Sequence, residues 1–175
     1  QDLLLKAFIN YSRQNTNAYL LLIGAPLFDN NHYYNSIIKI IESHSLMHRV
    51  IMPGYRNDLQ AMYSAMDLFL YPPIEKDTSP LALLSAISSG LPVGVSNINS
   101  LTEIVEVCPG VDVFNPNNPD EIISLMRKYK RKEAQELSGK LNRESGRKLF
   151  DISIHGQKME KIIKQVYKEN KIDSI

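Results

Sequence analysis

Between Asp67 and Ser96 the chain passes through a β–loop–α–β unit whose punctuation leaves little choice of fold. Leu68-Phe69-Leu70-Tyr71 is a short apolar, aromatic-rich run stopped by Pro72-Pro73, the pattern of a strand buried on both faces. After the loop from Ile74, Thr78 or Ser79 can cap a helix whose first position is Pro80, where a missing backbone N–H costs nothing. Leu83, Leu84 and Ile87 form its buried stripe and Gly90 ends it, before Leu91-Pro92-Val93-Gly94-Val95 returns as a strand. A helix that begins at the carboxyl end of a parallel strand offers unpaired N–H groups and a positive dipole, which suits a phosphate. The same caps open many helices that bind nothing, so the pattern alone leaves both readings open.

The rest of the chain repeats the alternation. Leu4, Ala7, Phe8 and Tyr11 recur at helical spacing, and Ala18 to Gly24 reads as a strand closing on glycine. Tyr34, Ile37, Ile38 and Ile41 mark a second helix, followed by a strand from Val50 to Met52 that ends in Pro53-Gly54. Leu59, Met62, Tyr63 and Met66 mark a third helix. Ser100-Leu101-Thr102-Glu103 reads as a capping box, Val111 to Phe114 as a last strand, and Asn118-Pro119-Asp120-Glu121 as a capped helix start. Alternation of this kind with short connections predicts an α/β fold with a doubly wound, mostly parallel sheet.

Composition narrows the function classes. At 175 residues, 43% hydrophobic and 22% charged, the chain is long enough for one good core and short for two. Twenty Lys and Arg against 19 Asp and Glu leave no global field that would argue for a nucleic-acid partner. No apolar run approaches the length of a membrane span and no basic-then-apolar leader opens the chain, so the expectation is a cytoplasmic protein. Cys108 stands alone, and His32, His44, His48 and His155 have no ligand spacing, so no metal site and no cofactor are expected. From Arg127 to Lys148 the charges are dense and mostly basic, interrupted by Glu133, Glu136 and Glu144 at positions that pair along a helix. That run reads as a solvated helix face, with a peripheral contact to an anionic membrane surface left open. Beyond Phe150, a last helix carries Met159, Ile162, Ile163 and Val166 on one side and needs a partner surface.

Taken in order, Leu20-Leu21-Leu22-Ile23-Gly24, Arg49-Val50-Ile51-Met52-Pro53-Gly54, Leu59-x-x-Met62-Tyr63-x-x-Met66-Asp67 through Pro72, and Ser85-Ala86-Ile87-Ser88-Ser89-Gly90-Leu91-Pro92-Val93 resemble one known family. Together with Glu103-Ile104-Val105 and Gly110, they resemble the C-terminal half of GT-B fold, retaining, nucleotide-sugar-dependent glycosyltransferases of the group 1 type. The resemblance implies a Rossmann-like domain over residues 1–150 that binds a nucleoside diphosphate sugar, and a helix over 151–175 that packs on an N-terminal acceptor domain. It also implies that the domain's opening strand, central in this fold, and two diphosphate-neutralising cations precede Gln1.

The family's signature is a pair of glutamates that fall here on Asp77 and Ser85. The first, which reaches donor-sugar hydroxyls, keeps a carboxylate one methylene shorter in Asp77, the expected catalytic position. The second grips the ribose, and Ser85 cannot supply that bidentate contact. Loss of one charged hydrogen-bond partner costs on the order of 1.5–3 kcal/mol. Glu75 is a substitute carboxylate two residues from Asp77, at a spacing that breaks the family pattern. By the same resemblance, phosphate contacts come from the backbone around Thr78, Ser79, Pro80 and Leu81, and the base stacks near Gly54 and Tyr55, with Arg56 beside them. Asn97 and Asn99 follow a strand end and could face the donor.

The implied reaction is retaining transfer of a sugar from a nucleotide-sugar donor to an acceptor glycan, lipid or protein. A second reading, favoured by Asp77 and Ser85, is a non-catalytic, glycosyltransferase-like interaction subunit. A third, an unrelated nucleotide-binding domain, lacks any Gly-x-Gly-x-x-Gly or phosphate-loop signature to support it.

Overall fold

The computed structural model describes residues 1–26, 31–75, 77 and 80–172. The first layer is helix α1 (Asp2–Ser12), which buries Leu4, Leu5, Ala7, Phe8 and Tyr11, in agreement with the helical spacing read above. Strand β1 (Leu20–Ile23) follows, then α2 (Asn31–Ser43) with Ile37 and Ile41 inward, and β2 (Val50–Gly54). β1 and β2 pair in parallel, Leu20 opposite Val50 and Ile23 opposite Gly54, with a shift of register after Leu21.

Helix α3 (Leu59–Ser64) is shorter than the apolar spacing predicts and turns inward through Tyr63. It leads to β3 (Phe69–Tyr71), α4 (Leu81–Ser89), β4 (Val93–Ser96), a single 3-10 turn (Asn99–Leu101), α5 (Thr102–Val107) and β5 (Val111–Phe114). β4 is the centre of a second parallel sheet, ordered β3-β4-β5, with Phe69 opposite Val93 and Val95 opposite Val113. Three helices close the chain: α6 (Pro119–Lys128), α7 (Lys132–Leu149) and α8 (Ile152–Ile172). No helix among the described residues is long and apolar enough to cross a membrane.

Two expectations need correction. β3 is half-buried along its length instead of buried on both faces, because among the described residues it pairs on one side only, with β4. The helix opened by the proline starts one residue later than expected: Leu81 is the first helical residue, and Pro80 sits at the cap with a non-helical ψ of 86°. Gly90 ends that helix in the left-handed region, φ 75°, as a helix-stopping glycine should. The Asn118 cap behaves as expected, its side-chain oxygen accepting the Asp120 N–H at 3.2 Å.

Side chains divide between two cores. One joins α1, α2, β1, β2 and α6 through Leu5, Phe8, Ile37, Ile41, Leu22, Val50 and Ile122, and Leu68 before β3 and Leu70 within it pack against it. The other joins α3, α4, β4 and β5 through Tyr63, Leu83, Ile87, Val93, Val95 and Leu101. Alternation along β4 explains the split: Val93 and Val95 enter the second core, while a side chain at Gly94 would collide with Leu70 and Leu125 of the first. The basic run of α7 has an inner face that its charges conceal. Ser138, Gly139, Asn142, Ser145 and Gly146 are buried, and α7 lies close along α4 through them.

Candidate functional site

The carboxyl end of β3 carries the most chemistry. Strand alternation puts Phe69 and Tyr71 on the same face, and their rings lie nearly parallel, 10° apart with centroids at 6.4 Å. Tyr63, from α3, meets Phe69 edge-on at 5.9 Å. The result is a ladder of three aromatic rings whose two end members carry hydroxyls.

Each hydroxyl is used near the start of α4. Tyr71 donates to the carboxylate of Asp77, and the Asp77 backbone N–H donates to Ser100 Oγ at 3.3 Å. Tyr63 donates to the Ala82 carbonyl at 3.1 Å. Partial burial, followed by the hydrogen bond and charge of Asp77, pushes the Tyr71 phenol well above its usual range. It therefore remains a donor at any ordinary working pH.

The sequence expectations sort cleanly against this geometry. Asp77 is held by Tyr71, and Ser85 lies on α4, one turn beyond its first residue. Leu81 is 73% exposed at the first turn of α4, and Pro80, buried before it, has no side-chain acceptor for the helix amides. Helix geometry leaves the N–H groups of Leu81, Ala82 and Leu83 without intrahelical acceptors, and the first bond of the ladder is Leu84 N–H to the Pro80 carbonyl at 3.1 Å. Thr78 and Ser79, expected to contact phosphate, lie outside the described residues.

Gly54 and Tyr55 stand at the carboxyl end of β2. Gly54 adopts φ 74°, which only glycine takes readily, and its carbonyl accepts the Gly24 N–H at 3.0 Å, so the ends of β1 and β2 are tied together. Tyr55 beside them is 77% exposed. Arg56 forms a bidentate pair with Asp58, Nε to Oδ1 at 2.7 Å and Nη2 to Oδ2 at 2.5 Å.

Ser100 departs from its expected role. The 3-10 turn Asn99–Leu101 occupies the place of the capping residue, neither it nor α5 has a side-chain cap, and the Ser100 hydroxyl faces Asp77 instead. Sequence reasoning missed Tyr71, Tyr63 and Ser100 as site residues. The aromatic pair Phe69-x-Tyr71 was visible, but its partners come from α3 and from the turn after β4. Among the described residues no group of three or more His, Cys, Asp or Glu is placed to hold a metal ion.

Known proteins share the fold that carries these residues. The profile of the glycosyl transferases group 1 family matches residues 1–148. A UDP-Gal:alpha-D-GlcNAc-diphosphoundecaprenol alpha-1,3-galactosyltransferase of Escherichia coli is 26% identical over 141 residues, which covers 66% of this chain and 36% of that protein. HepE from Anabaena, solved with UDP and glucose, superposes with a TM-score of 0.84 at 18% identity, covering 94% of this chain and 44% of HepE. The C-terminal domain of LpcC, a glycosyl transferase group 1 family protein from Francisella tularensis, superposes with a TM-score of 0.75 at 15% identity, covering 86% of this chain and 78% of that domain. The chain thus spans well under half the length of the first two proteins.

Proposed function

Because this chain belongs to the glycosyl transferases group 1 family, in which it corresponds to the C-terminal half of a GT-B fold, we propose that it is the donor-binding half of an enzyme that transfers a sugar from a nucleoside diphosphate sugar, with retention, to an acceptor. The observation that carries the reading is the anchoring of Asp77, four positions before Leu81 at the start of α4, by Tyr71 at the carboxyl end of β3 and by Ser100 after β4. In this reading Asp77 accepts hydrogen bonds from sugar hydroxyls and the first-turn amides of α4 face the diphosphate. Negative charge grows on that diphosphate as the glycosidic bond breaks, and the helix dipole and amides stabilise it most in the transition state. No metal ion enters the reading. HepE structures with UDP and with UDP-glucose, and a UDP-galactose-dependent relative, favour a uridine nucleotide, whose base stacks near Gly54 and Tyr55.

The rest of the protein completes the site. β1 and β3 each pair on one side only among the described residues, while Leu20, Leu22 and Leu70 share one core across the gap. A parallel strand from another part of the same protein, placed between them, would join the two sheets into one. The exposed stripe Met159, Ile162, Ile163 and Val166 of α8 packs on the acceptor-binding half. The reading places the protein in the cytoplasm, with its basic α6–α7 surface available to an anionic membrane.

The test is calorimetric titration of the intact protein with UDP, GDP, ADP and their sugar derivatives, in wild type, Asp77→Ala and Ser85→Glu. Saturable binding of one nucleotide sugar, weakened by Asp77→Ala, supports the reading. Binding that appears only in Ser85→Glu would mean that the fold has outlived its chemistry and serves as an interaction subunit.

A further inference from the structure

We propose that Tyr71 and Ser100 are positioning residues for Asp77, clamping it from its side chain and its backbone so that its short carboxylate is presented to the donor sugar at a fixed place. The proposal rests on the donor-site reading above, which assigns Asp77 to the sugar.

Asp77 lies in the long connection between β3 and α4, six residues beyond the last strand residue, where nothing in a regular element fixes it. Among the described residues, two bonds from separate elements anchor it. The Tyr71 hydroxyl, at the end of β3, donates to the carboxylate, and Ser100 Oγ, in the 3-10 turn after β4, accepts the backbone N–H at 3.3 Å. β3 and β4 are adjacent and in register, Tyr71 opposite Val95, so both anchors stand on one rigid platform. Tyr71 is itself immobilised by its stack on Phe69, which Tyr63 braces from the other side. An aspartate held at its carboxylate and at its backbone loses less rotational freedom when substrate arrives, so more of each sugar contact is realised as binding. The raised phenol of Tyr71 keeps its proton, and with it the contact, through neutral pH and into the alkaline range.

The experiment pairs a spectroscopic readout with binding. In ring-labelled carbon NMR of the intact protein, the Tyr71 hydroxyl-bearing carbon should shift when Asp77 is changed to Asn; an unmoved signal overturns the contact. In the intact protein, titrations with UDP and with UDP-glucose or UDP-galactose separate nucleotide from sugar. Tyr71→Phe keeps the ring stack and removes only the hydroxyl, and Ser100→Ala removes only the acceptor. Each should weaken the sugar-linked nucleotide by about tenfold, the scale of one charge-assisted hydrogen bond, and leave UDP itself unchanged. In the Asp77→Ala background, Tyr71→Phe should cost nothing further. Sugar-nucleotide binding that is equal in wild type and Tyr71→Phe, or an additive double mutant, overturns the positioning role while the donor reading stands. A wild type that binds no nucleotide sugar overturns the donor reading and the role built on it, with the ring shift still reporting whether the contact exists.

Discussion

The side-chain amide of Asn142, on the inner face of α7, donates to the backbone carbonyl of Leu91 at 2.8 Å and to that of Gly110 at 3.1 Å. These carbonyls belong to the two turns that feed β4 and β5, so one fully buried side chain fastens α7 to the amino end of the sheet whose other end carries the candidate site. Ser138 repeats the device, its hydroxyl donating to the Gly110 carbonyl at 2.7 Å.

Asn142→Ala should therefore destabilise the chain by about 2–3 kcal/mol, because two buried carbonyls lose a donor and a cavity opens between helix and sheet. Urea unfolding checks this. Asn142→Leu, which fills the volume but restores no donor, should recover only part of the loss, and a full recovery would show that packing alone matters here.

Close approach of α7 to α4 depends on glycine. A methyl group at Gly139 would press on the carbonyl oxygen of Gly90, and one at Gly146 would stand 2.7 Å from the Ser88 Cα. Gly→Ala in a helix normally gains about 1 kcal/mol. At these two positions the collision is with backbone, which cannot swing aside, so each alanine should cost roughly 1–3 kcal/mol instead. Gly156→Ala on α8, where an added methyl meets nothing, should show no such cost, and thermal melts of the three variants compare them directly.

Much of this could be read from sequence and some could not, for physical reasons. Gly90, Asn118-Pro119 and the alternating valines of β4 carry local instructions, and the elements begin and end close to where those residues predict. The inner face of α7 escaped notice because Ser, Gly and Asn bear no hydropathy signal. Their spacing at 138, 139, 142, 145 and 146 is helical, but charge on the opposite face dominates the pattern. Ser100 has the spacing of a capping residue, yet its partner is decided by where the loop bearing Asp77 lies, a tertiary fact. At the site, the family resemblance pointed to Asp77 and the cap pattern to the start of α4, whereas the aromatic ladder beside them is assembled from segments that only folding brings together.

Arg49 offers a test of the other core. Its guanidinium is nearly buried and donates to three backbone carbonyls, those of Ser12 at 3.1 Å, Asn15 at 2.5 Å and Ala18 at 3.0 and 2.8 Å, while lying 5.6 Å from the Phe8 ring centroid. It thereby closes the end of α1 and the turn into β1. Arg49→Lys keeps the charge but loses the planar fork, and a single ammonium cannot reach all three oxygens. The substitution should cost about 2–3 kcal/mol, and Arg49→Met more, since the Ala18 carbonyl then loses both guanidinium donors and those of Ser12 and Asn15 keep only their backbone partners. If guanidinium unfolding placed Lys and wild type together, the fork would be irrelevant and only charge would count.

Alkaline pH should loosen the fold through its tyrosines. Burial, then the Asp77 hydrogen bond and charge, raises the Tyr71 phenol, and burial, then the Asp112 hydrogen bond, raises Tyr129, whose hydroxyl lies 2.5 Å from Asp112. A group that binds its proton more tightly when folded contributes stability that is complete below the unfolded value, near 10 for a phenol. That contribution is lost as pH rises from there towards the folded value. Urea midpoints should accordingly stay level up to about pH 9.5 and decline above about pH 10. Tyr71→Phe and Tyr129→Phe should each lower stability at neutral pH yet make the alkaline decline shallower, because each removes one proton that folding retains. A decline equally steep in both variants would assign it to other groups and leave these two phenols with no part in the pH response.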